Sequence, residues 1–98
     1  AGPTPSGVLR VDRGAAEALR AKGRSLLPAG IAAVEGDFER GDAVSIVTPK
    51  GVELARGITR YSATEMRQIR GGHSDEIAHR LGYAYGPVAV HRNDLILV

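Results

Sequence analysis

The chain has 98 residues and a formal net charge of +2, with 43% hydrophobic and 24% charged residues. That length holds one domain with a single modest core, and the composition excludes a disordered or collagen-like chain. No apolar run approaches the ~20 residues of a membrane-spanning helix, and the lack of Cys excludes disulfides and Cys-ligated zinc or iron–sulfur centres.

The chain starts at Ala1 and its only Met is Met66. The expectation is one domain cut from a longer protein, without the charged-then-apolar pattern of a signal peptide. Residues 1–7, AGPTPSG, read as a linker or an expression-vector remnant. The folded domain is expected over 8–98.

Val8–Val11 reads as a short strand. Asp12 stands where a helix N-cap belongs, its carboxylate able to accept from the free amides of the first turn. The Ala- and Leu-rich run Arg13–Lys22 predicts a helix, with Arg13 and Glu17 spaced to pair on its surface. Gly23 ends it by taking left-handed angles at no steric cost. Arg24–Gly30 is too short for a helix and too punctuated for a free strand, so it reads as an ordered loop pinned by Leu26 and Leu27. Ile31–Glu35 is expected as a strand, Phe38–Asp42 as a turn, and Ala43–Thr48 as a strand with Val44 and Ile46 on one face and Ser45 on the other. Thr48-Pro49-Lys50-Gly51 is a β-turn signal. Val52–Thr59 then alternates, placing Val52, Leu54 and Ile58 on one face and Glu53 and Thr59 on the other.

Ser62 and Glu65 have capping-box spacing, followed by Met66 and Ile69 on one helical face, and Gly71-Gly72 stops that helix. Ser74 is expected to cap the next, with Asp75 and Glu76 in its first turn. Ile77 and Leu81 form its apolar stripe, and Glu76 and Arg80 are spaced to pair outside it. Val88–Val90 and Leu95–Val98 read as the last strands. No strand–helix–strand repeat appears. The expected fold class is therefore mainly β with short helices (α+β), a small closed or half-closed barrel that hides its strand edges.

The charge is unevenly spread. Residues 1–30 carry five bases (Arg10, Arg13, Arg20, Lys22, Arg24) against two acids, a net of +3. Residues 31–55 carry a net of −3 and residues 56–80 a net of +2. Two basic segments folded onto one face would attract phosphates. The glycines around Ser25 lack the Lys-Ser/Thr pair of a phosphate-cradling P-loop. Arg40-Gly41-Asp42 reads as an ordinary turn, and His73, His79 and His91 lack the spacing of a paired helical metal site. No catalytic, cofactor-binding or metal-ligating residue is assigned.

The segment with a physical case for recognition is Arg20–Gly30. It offers basic side chains at a helix tip and glycines whose backbone a ligand can approach closely. Arg20, Lys22, Gly23, Arg24, Ser25 and Gly30 are thus the candidate RNA- or phosphate-binding residues. The aromatic residues are only Phe38, Tyr61, Tyr83 and Tyr85. They argue against a base-stacking platform and for readout by shape and phosphate, as in a duplex RNA minor groove.

These residues also carry a family resemblance. VDRGAAEALRAKGRSLLPAGI (Val11 to Ile31), with GDFERGDAVSI and GVELARGITRYSA, resembles a PUA domain. SLLPAGI, GDFERGD, ARGITRYS, HSDEIAHRLGY and YGPVAVHRNDLIL, in that order, are similar to the carboxy-terminal PUA domain of the bacterial glutamate 5-kinases, across Val8 to Val98. The resemblance implies a PUA-like pseudo-barrel. It implies a cytoplasmic, homo-oligomeric parent that transfers the γ-phosphate of ATP to the side-chain carboxylate of glutamate, the first step of proline biosynthesis. ATP and magnesium would be bound by an amino-terminal amino-acid-kinase domain outside these residues, this module's partner in the same chain. No kinase catalytic residue carries over. The module's implied role is to modulate the kinase or its assembly, with no membrane partner. The alternative is RNA binding through the first helix and following loop, which in RNA-modifying relatives contact RNA and here correspond to Arg20–Gly30.

Overall fold

The computed structural model describes residues 4–98. The first three residues of the expected 1–7 linker lie outside them, and Thr4–Ser6 carry neither helix nor strand. Strand β1 (Gly7–Val11) turns Leu9 and Val11 inward and leaves Val8 and Arg10 half-buried. Asp12 then caps helix α1 (Arg13–Lys22), accepting from the Ala15 amide at 2.7 Å, a contact worth about 1 kcal/mol. Gly23 closes α1 at φ 58°. A single 3-10 turn, Pro28–Gly30, leads into β2 (Ile31–Gly36). There follow β3 (Ala43–Val47), β4 (Glu53–Ile58), α2 (Ala63–Ile69), α3 (Ile77–Leu81) and β5 (Leu95–Leu97).

The five strands form one mixed sheet in the order β2-β1-β3-β4-β5. β1 and β3 are parallel, while the other neighbours are antiparallel. A parallel pair needs a crossover, and α1 with β2 supplies it. The core lies between the sheet and the helices, with Leu9, Leu19, Phe38, Met66 and Ile77 buried. One isolated bridge, Leu26 to Val90, ties the loop after α1 to the segment before β5. The α+β, strand-rich fold expected from the sequence is what forms, including the Ser62–Glu65 capping box of α2 and the Glu76–Arg80 pair at 3.5 Å.

Local departures have identifiable causes. β3 and β4 slip register, pairing Ile46 with Ala55 but Val47 with Glu53. Leu54 is the extra residue, and a one-residue bulge reverses the alternation. Leu54 and Ala55 are therefore both buried, while Val52 is 62% exposed and Ile58 turns outward. Thr59, expected outside, is buried, and its hydroxyl donates to the Tyr61 carbonyl at 2.7 Å. Leu27 does not pin the loop: it is 46% exposed, and Pro28 takes the next buried position after Leu26. His73, not Ser74, caps the turn before α3, its Nδ1 accepting from the Asp75 amide, while the Ser74 hydroxyl donates to Pro87. Val88–Val90 forms no strand, because the Ala89 and Val90 amides both converge on the Leu26 carbonyl and no ladder extends. Arg13 and Glu17 do not form the expected ion pair among the described residues.

Candidate functional site

Helix α1 stops at Lys22 and the chain folds back along it, with the Asp12 amide donating to the Gly30 carbonyl at 2.8 Å. Between the helix and the returning loop lies a groove of about 500 Å³. The structure brings four of the six candidate residues into its lining: Lys22, Arg24, Ser25 and Gly30. Arg20 lies on the opposite flank of α1, in a second groove facing the Thr48–Lys50 turn. Gly23 lines neither groove, and its left-handed angles serve the end of α1.

Gly30 has a packing role. A Cβ built there would stand 2.5 Å from the Cβ of Ala15, so glycine lets the 3-10 turn touch α1. The Ser25 hydroxyl oxygen accepts from the Arg92 amide at 2.9 Å, leaving its proton free to donate. Lys22 and Arg24 are exposed and take part in no ion pair among the described residues. Two cations beside a hydroxyl donor match the oxygens of a phosphate.

Sequence reasoning missed a tyrosine cluster. Tyr61 and Tyr85 have ring centroids 5.4 Å apart, as do Tyr83 and Tyr85, and the Arg40 guanidinium sits 3.9 Å over the Tyr85 ring. The buried Tyr61 hydroxyl donates to the Gly86 carbonyl at 2.7 Å and accepts from the Tyr85 amide at 2.8 Å. The Tyr83 hydroxyl hydrogen-bonds the Glu65 carboxylate. That bond, with desolvation, pushes the Tyr83 phenol up to about 12. The only local signal is a Tyr-x-Tyr step between Gly82 and Gly86; the partners Tyr61, Glu65 and Arg40 are distant in sequence.

A third surface is the outer face of β4 and β5. Ile58, Ile96 (74% exposed) and Val98 (67% exposed) line an apolar depression of about 420 Å³ together with Ala43 and Arg56. Arg56 is anchored on Glu53 at 2.8 Å, and Ser45 donates to the same carboxylate at 2.6 Å. The Arg56 hydrogen bond, then that of Ser45, holds the Glu53 carboxyl below its usual range. The Ser6 amide donates to the carbonyl of Ala43, a residue that lines this depression, at 2.8 Å, so the chain enters the sheet between β2 and β3, one strand away from β4. Among the described residues, no group of three or more His, Cys, Asp or Glu side chains could hold a metal ion. No helix is long and apolar enough to cross a membrane.

The PUA domain family profile matches residues 7–81. The glutamate 5-kinase of Deinococcus radiodurans is 58% identical over 92 residues, covering 94% of this chain and 25% of the relative. That of Serratia marcescens is 53% identical over 96 residues, covering 98% and 26%. The chain thus spans about a quarter of the length of the curated relatives it matches, in their carboxy-terminal region. Among solved structures, a PUA domain from Aeropyrum pernix K1, described as a tartrate complex, superposes with a TM-score of 0.64 at 29% identity, covering 88% of this chain and 41% of that one. NSun6 from Pyrococcus horikoshii gives 0.64 at 26% identity, covering 92% and 19%. A mixed five-stranded sheet with three short helices, matched in sequence from β1 through α3 and in shape over most of its length, belongs to the PUA domain family, and this chain is homologous to the carboxy-terminal part of glutamate 5-kinases.

Proposed function

We propose that these residues are the non-catalytic carboxy-terminal module of a cytoplasmic, homo-oligomeric glutamate 5-kinase, acting on the rest of that polypeptide through the outer face of β4 and β5. The enzyme would phosphorylate the glutamate side chain with ATP at the start of proline synthesis. ATP and magnesium belong, in this reading, to the upstream amino-acid-kinase domain. No step of the chemistry is assigned to this chain, and the residues before Gly7 serve as the link, Gly7 itself being the first residue of β1.

The observation that carries the reading is the apolar face of Ile58, Ile96 and Val98, in the depression lined by Ala43, whose carbonyl accepts from the Ser6 amide as the chain enters the fold. Fully covering such a side chain is worth about 1.5–3 kcal/mol, and clustered exposed apolar groups mark contact surfaces. An upstream domain joined next to Ala43 reaches this face with little loop-closure cost. The test deletes residues 7–98 from the full-length polypeptide and measures kinase rate, inhibition by proline and assembly size. Phosphoryl transfer should survive while inhibition or assembly changes. A folded truncate that has lost phosphoryl transfer, or one unchanged in all three, overturns the reading.

A second reading, RNA binding through α1 and the following loop, is favoured by the unpaired Lys22 and Arg24 beside the Ser25 hydroxyl. Lys22→Ala with Arg24→Ala should weaken binding of a structured RNA hairpin and lower its salt dependence. No affinity at low salt ends this reading.

A further inference from the structure

We propose that the second groove, between α1 and the Thr48–Gly51 turn, is a binding site for successive phosphate groups. It lies across α1 from the loop-side groove and shares only Arg20 with the candidate residues read from the sequence, so variants at Lys22 and Arg24 separate it from the loop-side RNA reading.

Two elements supply the groove's charge, and a third braces it. Arg13 and Arg20, seven residues apart, share one face of α1 and line a groove of about 650 Å³. Lys50 faces them from the turn. Arg10 comes from β1, and its guanidinium donates to the Pro49 carbonyl at 2.9 Å. It also lies 3.5 Å from where a Cβ on Gly51 would stand, so it is packed under the same turn. Its partner is a neutral carbonyl, which leaves the full positive charge and the other guanidinium donors in place.

Three cations, Arg13, Arg20 and Lys50, thus line the groove with one acid, Glu17, while Arg10 braces the turn through Pro49. None of these four bases takes part in an ion pair among the described residues, and Glu17 does not close onto Arg13. Like charges gathered without counter-charge repel one another and raise the local potential. A phosphate ligand relieves that repulsion. The Thr48 hydroxyl oxygen accepts from the Val52 amide at 3.2 Å, so its proton remains available as a neutral donor at the rim. The groove's length along α1, from Arg13 to Arg20, is about 10 Å at 1.5 Å per residue. That exceeds one phosphate and suits a run of them, either a nucleic-acid backbone or the chain of a free nucleoside triphosphate.

The experiment measures binding of three probes to the 98-residue chain at low salt: a short double-stranded RNA hairpin, ATP and inorganic triphosphate. The test variant carries Arg13→Glu, Arg20→Glu and Lys50→Glu, with Arg10 left in place to support the turn. At least one probe should bind the parent chain. The variant should bind it about tenfold or more weakly, with the slope of log affinity against log salt reduced by about two to three. Loss confined to the hairpin identifies a nucleic-acid backbone, and equal loss of ATP and triphosphate identifies a small polyphosphate. If circular dichroism shows the reversed variant unfolded, Arg13→Gln with Arg20→Gln and Lys50→Gln replaces it, with the same direction expected. Binding of no probe to the parent chain, or equal binding to the parent and the folded variant, overturns the proposal. Loss on Lys22→Glu with Arg24→Glu, but not on the groove variant, overturns it while leaving the loop-side RNA reading intact.

Discussion

Gly30→Ala probes the contact that shapes the loop-side groove. The added methyl would stand 2.5 Å from the Ala15 Cβ, whereas non-bonded carbons settle at about 3.5–4.0 Å. Either α1 or the 3-10 turn must therefore yield by about 1–1.5 Å. Neither is free to do so. The Asp12 side chain caps α1, the Asp12 amide holds the Gly30 carbonyl, and Leu19 and Leu26 are buried on either side. Overpacking of this kind costs about 1–3 kcal/mol, which for a domain of this size lowers Tm by roughly 5–20 °C. Urea unfolding should show a lower midpoint with an unchanged m value. Ala15→Gly removes the opposing methyl. In the Gly30→Ala background it should recover most of the loss, leaving about 1 kcal/mol for glycine inside a helix, and the two changes should couple strongly. If Gly30→Ala unfolds at the parent midpoint but loses phosphate affinity, the glycine serves ligand approach and the packing argument is wrong.

Tyr61→Phe removes the hydroxyl that both donates to Gly86 and accepts from Tyr85. It should cost about 1–2 kcal/mol and speed amide exchange at Tyr85, and unchanged exchange would show that the loop is held otherwise. The Tyr83 phenol, pushed up to about 12 by its bond to Glu65, favours the protonated folded state. Its stabilising effect is present below its ordinary value of 10.0 and is lost as pH rises through about 12. Tyrosinate absorbance should show Tyr83 ionising late and Glu65→Gln bringing it earlier, and an ordinary titration in the parent contradicts the contact. Glu53 behaves oppositely. With its carboxyl lowered, its contribution is complete above the ordinary value of 4.5 and disappears as pH falls through the lowered one. Glu53→Gln should flatten acid unfolding in that window, and an identical acid limb would refute the Glu53–Arg56–Ser45 contact.

What the sequence made legible was local. Asp12, Gly23 and the Ser62–Glu65 pair act within one turn of their own helices, so caps and boundaries could be read directly. Lys22, Arg24 and Ser25 are nearly contiguous, and the loop-side groove keeps them together. The bulge at Leu54 was not legible, because two residues against one is decided by pairing with β3. Its consequence is large: Ile58, assigned to the interior by alternation, became part of the exposed face. Gly30 looked like a ligand-approach glycine because its crowding partner, Ala15, sits on α1, a separate element that only the fold brings against it. The second groove was equally hidden, since Arg13 and Arg20 on α1 meet the distant Thr48–Lys50 turn only in the folded chain. The tyrosines were too few to suggest a cluster until the chain brought Tyr61 beside Tyr85.

The most direct test of the proposed role is backbone hydrogen exchange at Leu95–Val98, compared between the 98-residue chain and the full-length polypeptide. The free chain leaves Ile96 and Val98 exposed in the depression lined by Ala43, whose carbonyl accepts from the Ser6 amide. If the upstream domain docks there, exchange at these amides should slow in the full-length polypeptide and return toward the free rate with Ile96→Glu. Identical exchange in the free and full-length chains would contradict docking through this face.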